Sequence, residues 1–401
     1  MGASDDTLTS IEICAGAGGQ AIGLHQAGFR HLALVEIDQY AAATLRRNIA
    51  QRDGWEFERE FCDIIHNDVN DFKPLVELDK PLGYLGRELR RGELGLLAGG
   101  VPCPPFSHAG KQLGKDDERD LFPRMLDLVD ELHPQAVMIE NVRGIKDDKF
   151  ADYRDWVVAR LEGGVAKDPQ TGIERTHEGA DYKVCGWRVL EASDFGVPQL
   201  RPRAILVAIR KDVLGSQSFQ WPKPQRDIVT VREALDASMK ARYRPFLKQG
   251  GQTGQSAKDA LKRWQDMSGN IAPTLVGGSK KHGGADLGPS RAKAAWGLLG
   301  VNALGVANSP ADMDQKNSAE RDLFRPAGPM ITVAQAAIIQ GFPPEWDFEG
   351  DRKTERTGKT AQYRQVGNAF PPPVAHAVGE AIAQVLTAGR ISRRSPQDPV
   401  S

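Results

Sequence analysis

Short apolar runs alternate with helically spaced stretches through the first half of this chain, and that alternation limits the fold more than any other feature. Leu8–Cys14 reads as a strand that breaks into Ala15-Gly-Ala-Gly-Gly, and Gln20–Ala27 then has helical spacing. His31–Glu36 is a second strand and Gln39–Ile49 a second helix. Asp68-Val69 is a short polar stop; Leu94–Gly99 is a strand, Arg119–Leu132 a helix and Ala136–Glu140 a strand. Tyr182–Leu190 and Arg203–Ile209 read as two later strands joined by a turn at Phe195-Gly-Val-Pro198. Strands of this kind need cover on both faces, which predicts an open, doubly wound α/β sheet. Ligands of such sheets bind beyond the carboxyl ends of the strands.

At 401 residues the chain has room for a second domain. After Phe219-Gln-Trp-Pro-Lys-Pro224 the periodicity weakens, and Gly250–Ser256 and Gly277–Gly284 read as loops. Thr332–Gly341 is helical again, and Val374–Leu386 is an apolar-rich helix. The pattern predicts one domain from residues 1–221 and 357–401, with a smaller, irregular domain at 222–356. The net charge of −1 argues against a polyanion-binding protein, but its distribution argues the other way. Residues 222–330 hold 17 Lys/Arg against 10 Asp/Glu, a net +7, which leaves −8 for the remainder. A basic module on an acidic one fits a polyanion touched by one part only.

No apolar run approaches the roughly 20 residues of a membrane helix, and Met1–Asp6 has no secretion-signal character. Cytoplasmic residence is the expectation. Cys14, Cys62, Cys103 and Cys185 lie far apart with no C-x-x-C pair, against structural zinc or a disulfide framework. No metal is expected.

Two stretches carry chemistry. Gly16, Gly18 and Gly19 follow the first strand and open a helix, so a ligand can approach the backbone closely. Glu36, at the end of the second strand, is placed to grip two ribose hydroxyls. Those features fit NAD, FAD or S-adenosylmethionine equally. Asp38 reads as the cap of the following helix. The second stretch, residues 98–111, sets Cys103 between Pro102 and Pro104-Pro105 at a strand end. A lone cysteine beside an apolar run is commonly a small buried hydrophobe. A thiol on a proline-stiffened loop can also be aimed at a substrate, and the thiolate is the nucleophile.

Taken in order, the chain resembles the cytosine-5 DNA methyltransferases of bacterial restriction–modification systems. Cys14-Ala-Gly-Ala-Gly-Gly looks like the cofactor loop and Val35-Glu-Ile-Asp like the ribose-binding strand end. Gly100-Val-Pro-Cys-Pro-Pro-Phe-Ser looks like the nucleophile loop and Glu140-Asn-Val-Arg like the second catalytic segment. Gln199-Leu-Arg-Pro-Arg resembles the paired-arginine strand, Gln340-Gly-Phe-Pro the close of the recognition domain, and Gln365-Val-Gly-Asn the C-terminal cofactor contact. The sequence departs from the family pattern at Cys14, where an aromatic is usual, and at Pro104, where Gln is common.

The resemblance implies an S-adenosylmethionine-dependent, Rossmann-like methyltransferase acting on double-stranded DNA. Cys103 would add to carbon 6 of a flipped-out cytosine and Glu140 would serve ring nitrogen 3. Arg203 would face the pyrimidine carbonyl or a flanking phosphate, with Arg201 supporting it from the same strand face. Cys14, Ala15, Gly16, Gly18, Gly19, Glu36, Ile37, Pro102 and Asn368 would hold the cofactor. Asp68 with Val69 would meet the adenine, although Asp63 also fits that position. Phosphate and base contacts would come from the basic region, where Lys280, Lys281, His282 and Arg291 sit near glycine-rich turns. A monomer is expected, with any cognate restriction endonuclease acting independently. The rival readings are a transfer-RNA cytosine-5 methyltransferase, a catalytically silent DNA-binding relative, and a nicotinamide oxidoreductase. The last leaves the Pro-Cys loop unexplained.

Overall fold

The computed structural model describes residues 7–102, 120–169, 171–225, 227–277, 285–309, 318–350 and 357–394. Strands β1 (Leu8–Ile13), β2 (Phe29–Glu36), β3 (Asp63–His66), β4 (Leu96–Gly99) and β5 (Ala136–Val142) run parallel; β9 (Pro202–Arg210) pairs antiparallel with β5 and with β8 (Tyr182–Glu191), so β8 runs in the direction of the parallel set. Together they form one seven-stranded sheet in the order β3-β2-β1-β4-β5-β9-β8. A small hairpin, β6 (Gly164–Lys167) with β7 (Glu174–His177), stands apart from it. The order reverses direction between β1 and β4, so the crevice of a doubly wound sheet opens there.

Helices α1 (Gly19–Gln26), α2 (Gln39–Gln51), α3 (Glu56–Phe61), α4 (Asp79–Leu85), α5 (Phe122–Leu132), α6 (Ala151–Glu162) and α7 (Lys211–Leu214) connect the strands. Asp38 caps α2 by accepting from the backbone N–H groups of Tyr40 and Ala41, as its sequence position predicts. In α5, Phe122, Met125, Leu126, Val129 and Leu132 make a buried stripe at helical spacing. The sheet is covered on both faces, and period-two alternation divides it. Ile11, Ile13, Leu97, Val137 and Ile139 pack toward α5 and α6, whereas Leu96, Ala98, Met138, Ile205 and Val207 pack toward α14 (Pro372–Arg394).

Residues 222–356 depart from the sequence expectation of irregular structure. They contain α8 (Val231–Leu247), α9 (Gly251–Met267), α10 (Ser290–Leu298), α11 (Ser318–Leu323) and α12 (Val333–Gln340), before α13 (Lys359–Asn368) leads to α14. Gly250–Ser256, read as a loop, is mostly the first two turns of α9. Each glycine costs a helix about 1 kcal/mol relative to alanine. Burial of Ala257, Ala260, Leu261 and Trp264 among the α8 side chains offsets that cost. This helical core is continuous with α1 and α2: Trp346 packs in the same cluster as Leu45, and its Nε1 donates to Ala17 O at 2.9 Å. Among the described residues no helix is long and apolar enough to cross a membrane.

Candidate active site

The loops after β1, β2, β3 and β4, Glu140 of β5 and residues of 364–370 wall a cavity of ≈ 550 Å³ at the carboxyl edge of the sheet. After β1, Cys14, Gly16 and Gly18 all take positive φ (53°, 55° and 94°), which curls the chain into a tight loop ahead of α1. Ala15 N donates to Val35 O at 3.0 Å and Gly18 N to Ala15 O at 3.1 Å. Gly19 admits no side chain, because a Cβ there would lie 2.2 Å from the Phe370 carbonyl oxygen.

Glu36 binds this loop. Its Oε2 accepts from Gly16 N and its Oε1 from Asp38 N, both at 2.7 Å. Burial pushes the Glu36 carboxyl upward, opposed by those two N–H groups. Each oxygen retains acceptor capacity toward the cavity, which suits a vicinal diol. Ile37 is 64% exposed and forms an apolar shelf on the cavity wall. Asp68, which caps the short turn Val69–Asp71 through Asn70 N, lines the cavity together with Val69. Asp63 does not line it; its Oδ2 accepts from Lys80 N at the start of β3.

At the other end of the cavity, Arg203 Nε lies 2.7 Å from Glu140 Oε1. Burial raises the Glu140 carboxyl above its ordinary range, against the pull of Arg203 and Arg201. A Cβ on Gly100 would lie 3.1 Å from Glu140 Oε2, so the segment after β4 passes directly over that carboxyl. Asn141 Nδ2 donates to Val101 O at 2.8 Å and holds the segment there. Pro102 lines the cavity, and Leu121 N donates to Pro102 O at 3.3 Å. Cys103 lies outside the described residues, as do Lys280, Lys281 and His282. Pro102 and Leu121, which flank residues 103–120, both line the cavity. Arg291 is exposed on α10.

Of the residues that sequence assigns to the cofactor, Cys14, Ala15, Gly16, Gly19, Glu36, Ile37, Asp68, Val69, Pro102 and Asn368 line this one cavity. Gly18 does not: a Cβ there would meet Leu45 and Trp346, so its role is in packing and in the left-handed turn. Burial, then Glu36, pushes the Cys14 thiol up to about 12, which keeps it protonated.

Arg201 is not among the residues that line the cavity. It stands just before β9 and is 1% exposed, and its guanidinium is bonded to backbone carbonyls while staying within electrostatic reach of Glu140 and Arg203. Nη1 donates to Leu275 O at 2.6 Å, and Nη2 donates to Gly367 O at 2.7 Å and Ala369 O at 3.0 Å. Burial lowers its pKa to about 9, which leaves it charged at neutral pH. Gln199 and Gln340 extend this buried network: Gln199 Nε2 donates to Gln340 Oε1, and Gln340 Nε2 donates to Ala369 O. Arg201 thus ties the β8–β9 turn to Leu275 and to the segment bearing Asn368.

Sequence reasoning missed four polar residues on the wall, Glu12, Gln20, Asn67 and Arg364. Glu12 was visible as the one acid inside the apolar run of β1. The lining carries Glu12, Glu36, Asp38, Asp68 and Glu140 against Arg364, an acidic balance that suits a ligand with positive charge.

The family model for C-5 cytosine-specific DNA methylase matches residues 8–384. The Type II methyltransferase M.NaeI of Lentzea aerocolonigenes is 45% identical over 383 residues, covering 95% of this chain and 76% of that protein. The Type II methyltransferase M.NgoMIV of Neisseria gonorrhoeae is 41% identical over 381 residues, covering 94% of this chain and 98% of that protein. Among solved structures, the Entamoeba histolytica methyltransferase EhMeth superposes with a TM-score of 0.53 at 14% identity. That match covers 94% of this chain and 98% of the other, a likeness of fold.

Proposed function

The chain belongs to the C-5 cytosine-specific DNA methylase family, and on that premise we propose how its residues divide the work. It is a DNA (cytosine-5) methyltransferase. The family and the Type II relatives favour DNA over transfer RNA as substrate, and an active enzyme over a silent DNA-binding relative.

The observation that carries the site assignment is the Glu140–Arg203 pair beneath Gly100, at one end of an acid-lined cavity. S-adenosylmethionine fits that cavity on the structure's own terms. The molecule is cationic and polar, and the wall is acidic and holds buried polar atoms without partners on Glu12, Gln20 and Gln365. Glu36 would take the ribose hydroxyls, Asp68 and Val69 the adenine, Ile37 its apolar face, and the Gly16–Gly19 loop and Asn368 the rest. When bound, it supplies a methyl group on a sulfonium sulfur.

Carbon 5 of cytosine is a weak nucleophile. Addition of the Cys103 thiolate to carbon 6 converts the ring to an enamine that can attack through carbon 5. Charge then develops on nitrogen 3, where the Glu140 carboxyl donates or shares a proton. Arg203 holds Glu140 in place and offers its remaining N–H groups to the pyrimidine carbonyl or a flanking phosphate. Loss of the carbon-5 proton releases the sulfur. Asn141, through Val101 O, fixes the approach of the loop that bears Cys103. A paired base cannot reach this site, so the target is flipped out, at a cost of a few kcal/mol.

Residues 1–221 and 357–401 form the catalytic part. Residues 222–356 form the target-recognition part, with phosphate contacts from its basic surface. The protein works as a monomer on duplex DNA, and a cognate restriction endonuclease acts separately. The test is trapping on duplex DNA carrying 5-fluorocytosine, whose carbon 5 has no proton to lose. A covalent adduct that forms with S-adenosylmethionine present and vanishes in Cys103→Ala is expected. Absence of an adduct in the unaltered enzyme would overturn the assignment of Cys103.

A further inference from the structure

Residues 222–356 enclose a second cavity, of ≈ 300 Å³, that shares no lining residue with the donor cavity. Helix α9 gives it Arg263, Trp264 and Met267, and α10 gives it Lys293; the segments 300–304 and 326–329 close it. Those two segments touch. A Cβ on Gly328 would lie 2.0 Å from the Gly300 carbonyl oxygen, and Asn302 N donates to Pro329 O at 3.0 Å. The wall is therefore set by backbone contact rather than by long side chains.

The polar groups of this lining offer donors. Trp264 is 1% exposed and its Nε1 has no partner. An indole nitrogen can only donate. Asn302 is 2% exposed; its Oδ1 accepts from Leu304 N at 3.1 Å, and its Nδ2 has no partner. Arg263 is exposed and makes no ion pair among the described residues, whereas Lys293 Nζ is held 2.7 Å from Asp286 Oδ2. No Asp or Glu is among the described residues that line the cavity. An unpaired buried donor is costly, and a protein keeps one where a bound molecule satisfies it.

The rest of the wall is apolar, with Met267, Val301, Leu304 and Pro329. Met267 and Leu304 are 41% and 68% exposed, and Leu298, next to the lining residue Gly297, is 78% exposed. Exposed apolar side chains gathered at one concave place mark a binding site. Two free donors beside an unpaired guanidinium call for a ligand that brings acceptors and negative charge. The apolar wall calls for a ligand with an apolar body. A phosphate of duplex DNA meets the first demand and not the second. The volume lies at the lower end of the range of small-molecule sites.

We propose that this cavity binds a small organic anion, an apolar body carrying one carboxylate or phosphate. Trp264 Nε1 and Asn302 Nδ2 donate to the anionic head, Arg263 supplies the counter-charge, and Met267, Val301 and Leu304 cover the body. The site is independent of what the donor cavity holds.

Magnetic resonance of the full-length protein with nitrogen-15-labelled tryptophan tests it, because Trp264→Phe identifies the Trp264 indole N–H signal. The probes are benzoate, phenyl phosphate, benzyl alcohol and inorganic phosphate. The Trp264 signal is expected to shift with benzoate or phenyl phosphate at concentrations at least about tenfold below those needed with benzyl alcohol or inorganic phosphate. The stronger of the two anions names the head group. Arg263→Ala should weaken the anions about tenfold and leave benzyl alcohol within about twofold. Asn302→Asp keeps the acceptor for Leu304 N and puts a negative oxygen in place of the free donor, so it should abolish the response to the anions. If Asn302→Asp does not fold, the Arg263 variant decides alone. Equal responses to benzoate and benzyl alcohol would reduce the site to an apolar cavity and overturn the proposal, as would a Trp264 signal that no probe moves. A signal moved by a duplex oligonucleotide and by neither anion would also overturn it and assign the cavity to the DNA-facing surface.

Discussion

Replacing Arg201 by methionine separates its two conceivable roles. The stem volume is kept, and three hydrogen bonds to carbonyl oxygens are lost. Ala369 O keeps a donor from Gln340 Nε2 at 2.5 Å, but Leu275 O and Gly367 O lose theirs. Gly367 is in the last turn of α13, where carbonyls have no partner within the helix. An orphaned buried acceptor costs about 1–3 kcal/mol. Removing a desolvated guanidinium returns part of that, so a net loss of about 3 kcal/mol is expected. For a chain of this size that is roughly 4 °C in melting temperature. Gly367 and Ala369 flank Asn368 on the cavity wall, so donor affinity should fall about tenfold while DNA binding stays close to normal. Arg201→Lys should be intermediate, because one ammonium cannot span Leu275 O and Gly367 O together. Thermal melting, calorimetry with S-adenosylmethionine and methyl incorporation read the three effects. An unchanged melting temperature and donor affinity with a hundredfold loss of methyl transfer would refute the strut and put Arg201 against the substrate.

The remaining expectations concern Glu140, Gly19 and His31. Glu140→Gln should slow methyl transfer by about 10²–10⁴ and delay the 5-fluorocytosine adduct, with donor affinity unchanged in the same titrations. Gly19→Ala puts a Cβ where the Phe370 carbonyl stands, so it should lower both the melting temperature and donor affinity, measured side by side. His31 is fully buried between Ser10 Oγ and Ala21 O, and burial depresses its pKa to about 4. The unfolded chain takes up that proton near pH 6.5 and the folded chain does not, so the contribution is intact above pH 6.5 and is lost as pH falls toward 4. The loss amounts to about 3 kcal/mol. Denaturant melts of His31→Asn against the unaltered protein between pH 7 and 4.5 should show the difference closing with acid. A parallel pair of curves would refute it.

The parallel strands were legible because their apolar runs are nearly continuous: β1, β2, β4 and β5 appear at or within two residues of their sequence positions. β3 was not, because Asp63-Ile-Ile-His66 is short and only partly buried, and edge strands carry little periodic signal. α9 was hidden by its glycines, whose local preference yields to packing against α8. In the site, the glycine loop, Glu36 and the Glu140 strand end were readable because the chemistry fixes residue type there. The bonds of Arg201 to Leu275, Gly367 and Ala369 were not legible, because they join segments far apart in the chain to a residue just outside β9. Gln20 escaped because a single amide in a helix carries no pattern, and Glu12 because its one signal, an acid inside an apolar strand, was not followed; the cavity lining and the unpaired atoms reveal both.

The walls of the donor cavity come from opposite ends of the polypeptide. Residues 12–20 meet Arg364, Gln365 and Asn368–Phe370, and α1 packs on α14 so closely that Gly23 leaves no room for a methyl group beside Pro372 and Ala375. A nascent chain on the ribosome therefore has no closed pocket until about nine-tenths of it has been translated, however early the central sheet forms. Products that stop or shift frame before Arg364 would lack this wall and are expected to lose hold of the methyl donor.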